Sequence, residues 1–285
     1  MTPSALTLGS IRIYGLRDGL FSLDGGAMFG VVPKVLWQKF FPADEKNRIK
    51  LGLNSLLIDT GENRILVETG IGPDLNPKLV AYYSLERDPG LVPSLRQLGY
   101  EPEDIDYVIN THLHFDHCGG NTFRNEAGEF VPTFPKAMYV IQKCEWENGI
   151  NPSARDKPSY ISSTFLPLET HDQVWLIEGD TLVVSGIEVV MATGHTSCHQ
   201  CVKISSGRST IFFLGDMIPT SGHIGLPYIM SYDLYPMETL RNKERYLEKA
   251  LKEDWTVAFN HDPTHFFGKI VKVHNKYKFQ PLIPA

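Results

Sequence analysis

The stretch Thr111-His112-Leu113-His114-Phe115-Asp116-His117-Cys118-Gly119-Gly120 places three imidazoles and one carboxylate within six positions. Imidazole nitrogen and carboxylate oxygen are, beside thiolate, the donors zinc takes. A catalytic zinc keeps one coordination position open for water instead of closing its shell with protein. In an extended segment side chains alternate, so His112, His114 and Asp116 fall on one side, while a turn at His117 can carry that ring toward a second ion. One short segment can therefore begin two coordination shells. Solvated histidines in a polar loop are the bland account, and they fit four ligand types in six positions beside Gly119-Gly120 poorly.

The remaining ligands must come from distant loops, and three candidates stand out: His195 in Ala192-Thr193-Gly194-His195, Asp216 in Phe213-Leu214-Gly215-Asp216, and His261 in Ala258-Phe259-Asn260-His261. Taken singly, such a histidine is more often a surface or core residue and such an aspartate a turn former. Their joint appearance in this order gives them weight. Asp59, in Leu57-Ile58-Asp59-Thr60-Gly61, reads equally as a carboxylate orienting ligands or as a strand-end cap.

Positioning residues so far apart in sequence requires strand ends gathered at one edge of a sheet. Short β-branched runs bounded by Gly, Asp and Asn read as strands at 10–14, 55–59, 64–68, 107–109, 138–141, 182–184, 187–191, 201–204 and 210–214. Helical patterns cover 91–98, a segment from Cys144 onward, and 237–252, where Leu240, Tyr246, Leu247 and Leu251 can share a face. This order of elements predicts an α/β protein with two packed sheets covered by helices. No repeat or linker divides the 285 residues, so one domain over 1–285 is expected, with 1–50 as an N-terminal extension forming a substrate lip.

A net charge of -6 gives no basic footprint for a polyanion, which sets nucleic acid aside as a partner. The N-terminal stretch lacks the basic and apolar regions of a secretory signal, and no segment approaches a membrane span. A cytoplasmic protein acting on a small molecule is the expectation, and a homodimer is compatible with it. Four cysteines are too few for a disulfide scaffold. Cys198-x-x-Cys201 lacks the ligands of a structural zinc site, and Cys118 reads as a small packing residue.

The run from His112 to His117, followed by Gly194-His195, Gly215-Asp216, His261 and the early Asp59, resembles the metal-binding set of the metallo-β-lactamase superfamily. The resemblance implies an αββα sandwich, two mixed β-sheets flanked by helices, with metals at one sheet edge. It makes His112, His114 and His195 ligands of one metal and Asp116, His117 and His261 ligands of the other. Asp216 would bridge both together with a hydroxide, the nucleophile. Two divalent ions per chain are implied, zinc first, with iron, manganese and cobalt as alternatives, and Asp116 and Asp216 are the carboxylates closest to the chemistry.

A closer resemblance lies in 23–34, in Leu36-Trp37, in Met217-Ile218-Pro219-Thr220 and in 231–236, which are similar to the YtnP-like quorum-quenching lactonases. It implies opening of N-acyl-homoserine lactones, with phosphotriester hydrolysis as a secondary activity through the related methyl-parathion-hydrolase-like proteins. Better-known lactonases of this kind carry a tyrosine three residues after the bridging aspartate, where this chain has Pro219. Met28, Phe29, His223, Ile224 and Tyr228 are the candidates for contact with substrate, while His171, His199, His265 and His274 have no ligand partner at a telling offset. An organophosphate hydrolase, another esterase or thioesterase, a β-lactamase, a persulfide dioxygenase and a non-catalytic metal-binding sensor share the ligand set. The N-terminal stretch disfavours the β-lactamase, thioesterase and persulfide dioxygenase readings, and a complete set of seven ligands disfavours the sensor.

Overall fold

The computed structural model describes residues 4–87 and 89–282, so the first three residues of the N-terminal stretch read above lie outside them. The chain forms two compact units, Met1–Gly19 with Leu53–Gly179, and Leu20–Gly52 with Asp180–Ala285.

The first sheet has seven strands in the order β1 (Ser4–Leu8), β2 (Ile11–Asp24), β3 (Arg48–Asp59), β4 (Arg64–Val67), β5 (Tyr107–Ile109), β8 (Met138–Gln142) and β9 (Val174–Ile177). The strands β6 (Thr122–Arg124) and β7 (Phe130–Pro132) form a separate hairpin. The pairs β1–β2 and β3–β4 are antiparallel, whereas β4, β5, β8 and β9 run parallel. Parallel strands buried on both faces are continuously apolar. Ile65-Leu66-Val67 and Val108-Ile109 are fully buried accordingly. Leu57, Leu66, Val108, Leu113, Phe134, Tyr139, Trp146 and Phe165 build the core of this unit, and helix Lys143–Ile150 lies against β8 and β9.

The second sheet runs in chain order: β10 (Thr181–Val184), β11 (Ile187–Met191), β12 (Gln200–Ser206), β13 (Ser209–Phe213), β14 (Thr256–Ala258), β15 (Phe267–Val273) and β16 (Lys276–Pro281). Every pair is antiparallel except β13–β14. A parallel pair needs a crossover. Helix Pro236–Lys252 supplies it, with proline in its first turn, Glu238 near its N-terminus, and Lys249 and Lys252 in its last turn, as the helix dipole favours. Its buried residues are Thr239, Lys243, Tyr246, Leu247 and Ala250. Tyr246 and Leu247 match the expected face, while Leu240 and Leu251 are only half-buried and a lysine occupies the stripe. Val190, Phe212, Tyr246, Leu247, Trp255 and Val257 belong to the core here.

Two mixed sheets flanked by helices are thus the α/β architecture expected. No helix among the described residues is long and apolar enough to cross a membrane.

Candidate metal centre

In the first unit the ligand candidates follow from the parallel register of β4 and β5, which sets Val67 beside Ile109. Both strands end at the same edge, so Glu68 and the segment 110–117 emerge together. Glu68 has a positive φ of 65°, unusual for a residue with a side chain and a mark of a backbone held by its surroundings. Its Oε1 accepts the Thr111 backbone N–H at 2.9 Å and its Oε2 lies 3.6 Å from His117 Nδ1.

His112 packs against His114 and His117 with ring centroids 4.4 and 4.0 Å apart, and Asp116 Oδ1 is 3.9 Å from His117 Nε2. Thr111 Oγ1 sits 2.9 Å from His112 Nδ1. The His117 carbonyl accepts from Thr69 N at 2.8 Å, and Glu145 accepts from both Leu113 N and Tyr160 O–H. Tyr160 in turn meets the His114 ring edge to face. A Cβ on Gly119 would overlap the Ile71 carbonyl, so only glycine lets the loop lie this close to the segment after β4.

In the second unit the register sets Phe213 beside Ala258 on parallel strands, and each strand delivers a ligand candidate three residues later, Asp216 and His261. His195 lies in the turn between β11 and β12, whose ends pair at Met191 and Gln200 on the same edge. Open α/β sheets gather ligands at such carboxyl ends.

Here the geometry is specific. His195 Nδ1–H donates to Asp233 Oδ1 at 2.9 Å, and His261 Nδ1–H donates to the Gly52 carbonyl at 2.8 Å. Those bonds select the tautomer that makes Nε2 an acceptor in each neutral ring. His195 Nε2 is 3.3 Å from Asp216 Oδ2, and His261 Nε2 is 3.3 Å from Asp216 Oδ1. With both rings in that neutral form, lone pairs face lone pairs on both sides of one buried carboxylate, an arrangement that a cation at each junction relieves. Asn260 Nδ2 donates to Asp216 Oδ1 at 2.9 Å, and the Asp216 backbone N–H donates to His199 Nε2 at 3.0 Å.

All seven residues proposed from the sequence fall in His/Asp groups able to hold a metal ion. The donor set, imidazoles with oriented tautomers and carboxylates, fits a borderline-soft divalent cation. Asp59 serves elsewhere: its carboxylate accepts from Tyr100 O–H, Arg12 and the Gly61 N–H. Burial raises its pKa, yet those hydrogen bonds and the Arg12 charge hold it below the usual carboxylate range.

The sequence did not reveal Glu68, Asp233, Asn260 and His199. Each sits next to or near a motif, but the register that turns it inward is tertiary. Of the substrate candidates, Met28, Phe29, His223 and Ile224 are buried, and Tyr228 is half-exposed. His223 stacks on Phe29 at 4.2 Å, donates from Nε2 to the Met28 carbonyl and accepts at Nδ1 from Thr220. The first four are thus packing residues rather than exposed surface. Cys118 and Cys201 are buried free thiols whose pKa burial pushes up, so neither is a thiolate ligand at neutral pH.

The family model for the metallo-beta-lactamase superfamily matches residues 50–261. An N-acyl homoserine lactonase of a Bacillus species is 33% identical over 163 residues, 54% of this chain, and the match spans 58% of that protein's length. The N-acyl homoserine lactonase AiiA of Bacillus thuringiensis subsp. kurstaki is 30% identical over 72% of this chain and 79% of its own. Among solved structures, a probable metal-dependent hydrolase from Staphylococcus aureus superposes with a TM-score of 0.88 at 32% identity, covering 98% of this chain and all of that one.

Proposed function

For a chain that belongs to the metallo-β-lactamase superfamily of hydrolases, with the metallo-β-lactamase fold, we propose a dinuclear, zinc-dependent lactonase that opens N-acyl-homoserine lactones, a quorum-quenching reaction. The observation that carries the dinuclear part is the Asp216 carboxylate, whose two oxygens each face an imidazole acceptor. In this reading His112, His114 and His195 would hold one ion, Asp116, His117 and His261 would hold the other, and Asp216 would be shared between them. Such a pair of cations supplies Lewis acidity for an ester carbonyl and lowers the pKa of a shared water toward neutrality.

The chain's own residues do the rest. Asp233 and the Gly52 carbonyl hold His195 and His261 with Nε2 turned toward Asp216, and Glu68 braces the His117 ring on its Nδ1 side. Tyr83 stacks on Phe115, next to Asp116, with centroids 5.2 Å apart. Its phenol is pushed up to about 12, by burial first and then by Asp116, so it keeps its proton at neutral pH. With Pro219 where related lactonases place a tyrosine, Tyr83 is the phenol beside a ligand that can donate toward a departing alkoxide. Leu226 and Tyr228, both half-exposed, offer apolar surface to an acyl chain.

Similarity to curated lactonases supports the substrate class. The test is proton release on ring opening by zinc-loaded protein, measured across acyl lengths and against a paraoxon-type triester and a β-lactam. Lactones are expected to show the highest kcat/KM. Faster triester turnover would replace the lactonase reading with a phosphotriesterase, and faster β-lactam turnover with a β-lactamase.

A further inference from the structure

Lys243 is the only lysine or arginine among the buried polar residues described, and it sits on the core-facing side of helix Pro236–Lys252. A lysine is taken out of water only when its ammonium finds full compensation. Here Nζ donates to the carbonyls of His223 at 2.7 Å, Gly225 at 2.9 Å and Tyr228 at 2.7 Å. Three donated bonds need three N–H groups, which only the protonated head possesses. Burial lowers the Lys243 pKa to about 7, and the nearby Asp233 carboxylate opposes that shift. The three carbonyl dipoles favour the charged form as well.

The loop that Lys243 gathers joins two residues of the metal centre, Asp216 at its start and Asp233, the partner of His195, at its end. Between them the chain contains one short 3-10 turn, Ser221–His223, and no strand. Other ties at its edges include His261 N–H to the Pro219 carbonyl, Ser221 N–H to Asp262, the His223 ring to Met28 and Phe29, and Ser231 N–H to the Ala27 carbonyl. The middle, 225–228, is attached through Lys243, through local bonds from Tyr228 N–H to the Gly225 carbonyl and from Ile229 N–H to the Pro227 carbonyl, through packing of Leu226 on the core of this unit, and through edge contacts of Tyr228 with Phe29 and Phe40. This is the part that presents Leu226 and Tyr228.

We propose that Lys243 is a positioning residue for substrate selection: by collecting the three carbonyls it fixes the segment 223–228 in one conformation, and with it the apolar surface that measures the acyl chain. The proposal rests on the lactonase reading for its substrate. It extends that reading by assigning chain-length selectivity to a buried charge on the crossover helix.

The experiment compares wild type, Lys243→Met and Lys243→Arg, all zinc-loaded, in KM and kcat across acyl lengths, with metal content measured on the same samples. Lys243→Met is expected to keep its metal content and kcat within about threefold. It should raise KM for long-chain lactones at least tenfold and flatten the acyl-length profile, since fixed contacts that bind acyl methylenes are lost. Lys243→Arg keeps a charge and several donors and should restore part of the selectivity. Tyr228→Ala should flatten the profile by itself, and adding Lys243→Met to it should change KM less than about twofold, the signature of two residues acting through one contact surface.

A wild-type profile in Lys243→Met overturns the proposal, as does a parallel fall of metal content, kcat and 1/KM, which marks a merely structural lysine. If Lys243→Met does not fold, Lys243→Gln takes its place beside Tyr228→Ala, and a wild-type profile in Tyr228→Ala is then sufficient to overturn it. Wild-type protein that opens no lactone refutes the lactonase reading and leaves the loop to be read directly. Amide exchange over 223–231 should then be at least tenfold faster in Lys243→Met than in wild type, and equal exchange overturns the proposal.

Discussion

At the scale of single residues, the centre depends as much on what holds the ligands as on the ligands. Asp216→Ala and His195→Ala are expected to abolish turnover, while His171→Ala and His274→Ala leave it nearly intact. Steady-state rates and unfolding curves recorded together check this, because metal binding also stabilises the native state. Comparable losses at all four positions would show that the ligands have been wrongly separated from the other histidines. Asp233→Asn is the subtler case. It keeps the shape but offers either an amide N–H or a weaker acceptor to His195 Nδ1, so the tautomer is no longer secured. A fall of about 10- to 100-fold in zinc affinity is expected, the usual effect of losing a ligand's supporting partner. Competition with a chelating dye measures it, and wild-type affinity would show that Asp233 does not orient the ring.

At the scale of elements, the sheet edges do the positioning, and some glycines make it sterically feasible. Gly194 has φ of 142° and a Cβ there would overlap Thr239 on the crossover helix, so Gly194→Ala should cost roughly 1–3 kcal/mol of stability in urea unfolding. An unchanged midpoint would mean that the loop before His195 has room to move. This is also the scale at which the sequence was most and least legible. Tyr107–Ile109 and Ile187–Met191 were readable to the residue because alternation and β-branching are local signals. The run read at 10–14 instead overlaps a 14-residue strand, Ile11–Asp24; β6 and β7 are three residues each, too short for a periodic signal, while the apolar run of β9, Val174-Trp175-Leu176-Ile177, and the alternating β16 are not among the runs read as strands. The seven ligand candidates were legible because chemistry concentrates unusual residue types. Glu68, Asp233 and Lys243 were not, since a charged residue in a polar stretch or on a helix gives no sign that tertiary register will bury it.

At the scale of the whole molecule, burial of ionisable groups couples the fold to pH. Burial first of all brings His223 down to about 3 from an ordinary 6.5. Between those values the unfolded chain binds a proton that the folded chain does not. Stability from this group is therefore full above pH 6.5 and declines as pH falls toward 3. Wild type should lose about 2–3 kcal/mol more than His223→Gln between pH 7.5 and 4.5 in urea unfolding, the ligand histidines being common to both. Equal losses would mean that His223 is protonated in the fold.

The central claim, that two bound ions perform lactone hydrolysis, is tested most directly by adding zinc stepwise to metal-free protein and recording the ring-opening rate at each metal-to-chain ratio. The account predicts a rate that stays low through the first equivalent, climbs to the second and is flat beyond it, because in it His112, His114, Asp116, His117, His195, Asp216 and His261 would together serve two open sites. Full activity at one ion per chain would contradict it.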